Sequence, residues 1–238
     1  MNMTYKSRLV GLIGGVSPES TQIYYRAMNE AASAARGVDH SATVLIYALD
    51  YGAMVSLYHE NRWDEFNAEV AKAAMALKDA GVEALVITSN TTHVAADAAR
   101  AATGLPLIHM LDVLAAKMTA CGVRRPLLLG TPFVMSGDFY VPAIRARFDG
   151  DVFAPSPDEQ EEIGRIILDE LVRGQILDQS RETLKRIIRR AHGEGADGVI
   201  LGCTELCMIL SEPDADLPIF DTTGLHARAA ADFMLGGA

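Results

Sequence analysis

The chain has 238 residues, 50% of them hydrophobic and 22% charged, a balance that suits one large α/β domain or two lobes and excludes long disorder. Its formal charge of −10, with 31 Asp and Glu against 21 Lys and Arg and no basic cluster, argues against a nucleic-acid partner. No run approaches the roughly 18 apolar residues of a membrane span, and no signal-like apolar core follows the first residues. Three cysteines, Cys121, Cys203 and Cys207, do not make a disulfide framework or a zinc spacing. The expectation is a soluble cytoplasmic protein with free thiols, no membrane partner and no metal.

In chain order, residues 9–13 read as a buried parallel strand. Ser17 and Pro18 then supply an N-cap and a first-turn proline for a helix to about residue 35. Residues 42–48 form a second apolar strand. Phe66, Val70, Ala73, Ala74 and Leu77 recur at helical spacing, which predicts a helix over 64–80 stopped by Gly81. A strand at 84–88, a helix from about 94, a short strand at 107–108 and a helix over 111–120 come next. The second half gives a strand at 127–129 and helices over 136–148 and 158–172. A further helix, capped by Ser180, presents Leu184, Ile187, Ile188 and Ala191 on one face and ends at Gly193 and Gly195. Strands at 198–201 and 218–220 and a helix over 222–235 complete the pattern.

This alternation predicts an α/β fold of parallel sheets flanked by helices. Ligands of such folds bind at the carboxyl ends of the strands. Two segments look alike: Val86-Ile87-Thr88-Ser89-Asn90-Thr91 and Val199-Ile200-Leu201-Gly202-Cys203-Thr204. Each is an apolar run that delivers a small nucleophilic side chain, and each comes after a strand ending in glycine at a similar spacing, 14 to 89 and 130 to 203. Two pseudo-symmetric lobes are expected, the first spanning 1–117 and completed by 213–238, the second spanning 118–212.

Ser89 and Cys203 are the candidate catalytic pair, because two proton-handling groups on opposite sides of one carbon are what inversion of a stereocentre needs. Asn90, Thr91 and Thr204 stand where strands give way to helices, so their donors favour a substrate carboxylate. The bland reading of Ser89 and Thr91 is helix capping, and of Cys203 inert packing. A helix N-terminus is expected to lower the Cys203 thiol toward neutrality. The turn from Gly14 to Val16 is placed to close over the carboxylate. His93, four residues beyond Ser89, is a candidate to orient or deprotonate a neighbour.

At these residues the chain resembles the aspartate/glutamate racemase family, cofactor-independent enzymes within a group that includes glutamate racemase, maleate isomerase and arylmalonate decarboxylase. The resemblance rests on Gly11-Leu12-Ile13-Gly14-Gly15-Val16-Ser17-Pro18-Glu19-Ser20-Thr21, Asn90-Thr91-Thr92-His93, Leu129-Gly130-Thr131, Gly202-Cys203-Thr204-Glu205 and Phe220-Asp221-Thr222. It implies two α/β lobes, an active site in the cleft between them, a homodimer, an amino-acid substrate or related carboxylate, and no cofactor. Most of the family uses two cysteines, so Ser89 is a departure that matches a branch with a hydroxyl residue there. That branch includes L-aspartate/glutamate-specific and broad-specificity racemases.

Two further positions bear on the substrate side chain. Where relatives hold the distal carboxylate with a lysine, the aligned residue here is Glu162. Near Tyr58, where relatives place glutamine or arginine, no cation is supplied, although His59 and Arg62 are close. A carboxylate beside a carboxylate is costly, so a neutral or basic amino acid, or broad specificity, is expected. Two other functions fit the same residues. A decarboxylase of the arylmalonate type needs only one thiol, and a non-catalytic carboxylate-binding protein needs none.

Overall fold

The computed structural model describes residues 7–136 and 139–236. Its contacts divide the chain into two units, Met1–Met110 with Thr223–Ala238, and Leu111–Thr222.

The first unit is built on a four-stranded parallel sheet in the order β2-β1-β3-β4, formed by β1 (Val10–Gly14), β2 (Val44–Ala48), β3 (Ala84–Ile87) and β4 (Leu107–Ile108). Every residue of β1 and β3 is buried, which is why both read as unbroken apolar runs. Their side chains still alternate between two cores. Ile13, Leu85 and Ile87 face Phe66, Val70, Ala73 and Leu77 of α3 (Trp63–Asp79) and Ala96 and Ala99 of α4 (Ala96–Thr103). Val10, Leu12 and Val86 face Tyr24, Met28 and Ala32 of α1 (Pro18–Arg36) and Ala227, Ala230, Ala231 and Met234 of α10 (Thr222–Met234). The α1 start is as expected, with Ser17 accepting from the Ser20 amide and proline in the first turn. The edge strand β2 keeps Leu45 and Ile46 partly exposed.

The second unit carries a three-stranded parallel sheet in the order β5-β6-β7, from β5 (Pro126–Leu129), β6 (Gly198–Leu201) and β7 (Ile219–Asp221). The four apolar residues foreseen on α9 (Asp178–Gly193) are all buried. A two-pronged ion pair from Arg190 of α9 to Glu159 of α8 (Pro157–Arg165), 2.6 Å on each prong, fastens those helices together. Planar matching of this kind is the strong form of an ion pair.

Several elements differ from the sequence expectation. A helix α2 (Tyr51–His59) comes after β2, capped by Asp50, whose carboxylate accepts from the Ala53 amide. Ser180 is not a cap: α9 begins at Asp178, and the buried Ser180 hydroxyl donates to Glu170 at 2.5 Å. The single helix expected over 158–172 is α8 continued by a π-helical turn (Ile166–Glu170) and a 3-10 turn (Leu171–Arg173). The helix expected over 136–148 is α6 (Pro132–Met135) and α7 (Tyr140–Arg145), with residues 137 and 138 outside the described ones. The unit limits fall at 110/111 and 222/223, not at 117/118 and 212/213. β7 pairs with β6, and Arg147 holds Asp112 of α5 (Met110–Ala120) at 2.5 Å, so both segments go with the second unit.

Candidate active-site residues

In the first unit the glycine turn and the Ser89 segment meet because β1 and β3 are neighbours, with Ile13 opposite Ile87. The Thr88 amide continues that pairing to Ile13 O at 3.0 Å. Gly15 adopts φ +89°, and a Cβ there would lie 2.1 Å from Leu49 O, so only glycine passes between the two strand ends. The Gly15 amide donates to Thr21 Oγ1 at 2.9 Å, and that hydroxyl donates to Ser17 O at 3.1 Å. Thr88 Oγ1 lies 3.2 Å from it, and Ser20 Oγ donates to Thr88 O. Thr21 thus joins the turn after β1 to the residue before Ser89. Val16 is half-buried and packs on the same core cluster as Tyr58.

Ser89 stands two residues beyond the end of β3, half-buried, with Asn90 buried and Thr91 half-buried after it. A 3-10 turn (Thr91–Ala95) then leads into α4. Among the described residues, the hydrogen bond to Ser89 Oγ comes from the Thr92 amide, at 3.4 Å, a long version of the capping contact. His93 is 2% exposed and has both ring nitrogens on backbone: Nδ1 lies 2.7 Å from Ser89 O, and Nε2 accepts from the Met110 amide at 3.2 Å. It therefore does not deprotonate Ser89.

Tyr58 sits among Trp63 and His59, ring centroids 5.8 and 4.9 Å away, and burial pushes its phenol up. Arg62 is occupied by Glu65 at 2.5 and 2.6 Å and by Glu60 at 2.7 Å.

In the second unit Gly202 donates to Leu129 O at 2.7 Å, which brings the end of β6 against the end of β5. A Cβ on Gly130 would meet Val134 Cγ1 at 2.7 Å, so the glycine lets α6 turn back over that strand end. Cys203, two residues past β6 and 9% exposed, precedes a 3-10 turn (Thr204–Met208). Its Sγ donates to Glu205 Oε2 at 2.9 Å, and Thr204 Oγ1 donates to the same oxygen at 2.6 Å. Burial, then the Glu205 charge and its hydrogen bond, hold the Cys203 thiol well above the ordinary thiol range. This reverses the sequence expectation of a lowered thiol, because a five-residue 3-10 turn offers little dipole while a carboxylate sits against the sulfur.

Tyr140 is fully buried and pushed up by burial and by the charge of Cys203. Burial and the Asp221 charge raise Cys207, which donates to Thr204 O at 2.7 Å. Thr131 Oγ1, at the end of β5, is buried without a hydrogen-bond partner among the described residues. Sequence reasoning gave Glu205, Tyr140 and Thr131 no role in catalysis; a carboxylate two residues from a thiol after an apolar run was the one usable signal.

Glu162 lies on α8 with its carboxylate 2.9 Å from Arg186 of α9, its side chain 36% exposed. Its charge is balanced there, which weakens the electrostatic objection to an acidic substrate side chain. Among the described residues no group of three or more His, Cys, Asp or Glu could hold a metal ion, and no helix is long and apolar enough to cross a membrane.

Each parallel α/β unit carries a candidate reactive side chain, Ser89 or Cys203, two residues beyond an interior strand and beside a glycine turn, and the class of protein to which such a chain belongs is that of the amino-acid racemases, as the family match shows. The family model for Asp/Glu/Hydantoin racemases matches residues 13–230, and the chain belongs to that family. The broad specificity amino-acid racemase RacX of Bacillus subtilis (strain 168) is 19% identical over 229 residues, 95% of this chain and 98% of that protein. A Yersinia pestis protein assigned to the Asp/Glu racemases is 38% identical, with a TM-score of 0.91 over 96% of this chain and 99% of the other. An aspartate racemase homologue from Pyrococcus horikoshii OT3 is 31% identical, with a TM-score of 0.85 over 95% and 99%.

Proposed function

We propose that the protein inverts the α-carbon of an amino acid without pyridoxal phosphate, using Cys203 on one face and Ser89 on the other. The observation that carries this is the Cys203 thiol hydrogen-bonded to Glu205 at 2.9 Å, in a position that matches Ser89 strand for strand. Glu205 takes the thiol proton, and the thiolate takes the α-proton. Ser89, whose hydroxyl accepts from the Thr92 amide among the described residues, relays a proton from water to the opposite face. The proton left on Glu205 returns to water, so the cycle closes without net change. Asn90, Thr91 and Thr204 hold the α-carboxylate, the Gly14 to Val16 turn covers it, and Thr131 offers its hydroxyl. These donors stabilise the carbanion as charge spreads to the carboxylate oxygens. Side-chain preference is proposed to be broad, with Tyr58 and Glu162 near the distal group. The family resemblance supports a homodimer, which sedimentation would read, and three free cysteines suit a reducing cytoplasm.

The test incubates single enantiomers of acidic, neutral and basic amino acids in deuterated water. The expected result is α-deuteration with loss of optical purity for at least one of them, abolished by Cys203→Ala and strongly reduced by Ser89→Ala. Untouched amino acids with release of carbon dioxide from an arylmalonate would replace the reading with a decarboxylase. Binding without exchange, unaltered by Cys203→Ala, would make the protein a carboxylate binder.

A further inference from the structure

We propose that His93 is a positioning residue that aims Ser89, an inference that rests on the two-sided reading above. A carbonyl oxygen only accepts, so the 2.7 Å contact to Ser89 O puts the proton on Nδ1 of His93. Nε2 is then a bare lone pair and accepts from the Met110 amide. The ring is a neutral Nδ1–H tautomer spanning two backbone segments, the turn after β3 and the start of α5. It is wedged edge-on between His109 and His226, at centroid distances of 4.8 and 5.4 Å.

His226 is fixed in turn, in the opposite tautomer. Its Nε2 donates to Ile108 O at 2.7 Å, leaving Nδ1 to accept from the Tyr24 hydroxyl at 2.7 Å. The residue before Ser89 is held as well, by the Thr88 amide on Ile13 O and by Ser20 Oγ on Thr88 O. Ser89 is therefore clamped through its own carbonyl and through its predecessor, while its hydroxyl takes, among the described residues, the long contact from the Thr92 amide. An alcohol is a poor proton donor, so its usefulness depends on alignment, where an ångström is worth about a hundredfold in rate.

The experiment compares wild type with His93→Leu, which removes both bonds, and His93→Asn, whose amide still donates to Ser89 O. Two rates are read in deuterated water: exchange with retention, which needs only the Cys203 face, and inversion, which needs both. His93→Leu is expected to slow inversion on the order of tenfold to a hundredfold while retentive exchange stays near wild type, and His93→Asn to recover most of the loss. Long-range nitrogen–proton spectra of the wild-type imidazoles are expected to show His93 as the Nδ1–H tautomer; this measurement stands even if His93→Leu does not fold. Equal loss of both rates in each variant, or an Nε2–H or doubly protonated His93, overturns the proposal. Inversion that persists in Ser89→Ala removes the Ser89 role itself, and the aiming of it by His93 falls with that role. Loss of inversion in Ser89→Ala with wild-type rates in His93→Leu removes His93 alone.

Discussion

Cys203 and Glu205 make a pair whose chemistry turns on one proton. In the resting state the thiol keeps it, because burial and the neighbouring carboxylate both disfavour a thiolate. Replacing the carboxylate separates two ways of making the base. Glu205→Gln lowers the thiol pKa, since a raising charge is gone. If thiolate formed by simple ionisation, activity would rise at neutral pH and its profile would move to lower pH. With Glu205 as proton acceptor the expected outcome is a fall of about 10²–10⁴ in kcat, read in a pH series of racemisation rates. Ser89→Cys is expected to speed inversion, because a thiol is the stronger acid; polarimetry on single enantiomers checks it. Cys203 and Ser89 were legible in the sequence as candidates because each ends a recognisable apolar run. His93 was legible only as a nearby histidine, because its partners are a backbone carbonyl four residues back and an amide 17 residues on. Neither leaves a trace in residue type.

At the scale of elements, the turn after β1 works as a bracket for the segment after β3. Thr21, one turn into α1, accepts the Gly15 amide, donates to Ser17 O and lies against Thr88 Oγ1. Thr21→Val keeps the shape and leaves the buried Gly15 amide unpaired, which costs roughly 1–3 kcal/mol. Denaturant titration measures that loss, and a larger proportional fall in inversion than in retentive exchange is expected, since the bracket serves the Ser89 side. The glycine turn and its capping serine and proline were plain in the sequence. The bracket was not, because Thr21 reads as an ordinary first-turn residue until β3 is laid beside β1. Likewise Ser180 carries the composition of a cap but faces a buried carboxylate of the preceding turn, a contact set by how two helices pack.

The acid response of the whole molecule has carboxylate contributions from the second unit, where Glu159, Glu170 and Asp214 are held below the usual carboxylate range, and a histidine contribution from the first, where His226 is completely buried. Burial first, then the nearby His93, depress its pKa to about 3, against the bond to Ile108 O. In the unfolded chain the same imidazole titrates near 6.5. Between those values the unfolded state binds the extra proton, so the stability that a neutral His226 contributes is fully present above about pH 6.5 and drains away as the pH falls toward 3. Thermal melts from pH 7 to 4 are expected to show a steep fall in Tm, shallower in His226→Gln, whose amide still donates to Ile108 O.

Composition, strand and helix periodicity, the repeated nucleophile-bearing run and the glycine turn are local properties of the chain, and they determined the α/β class, nearly every element and the identity of the two candidate reactive side chains. The unit limits were decided by strand pairing, because residues 213–222 have no intrinsic preference for one sheet until β7 bonds to β6. The thiol's proton affinity, the pairing of Glu162 with Arg186 and the tautomers of His93 and His226 were likewise decided by tertiary structure. Each depends on electric fields and hydrogen-bond partners that only packing brings within 3 or 4 Å.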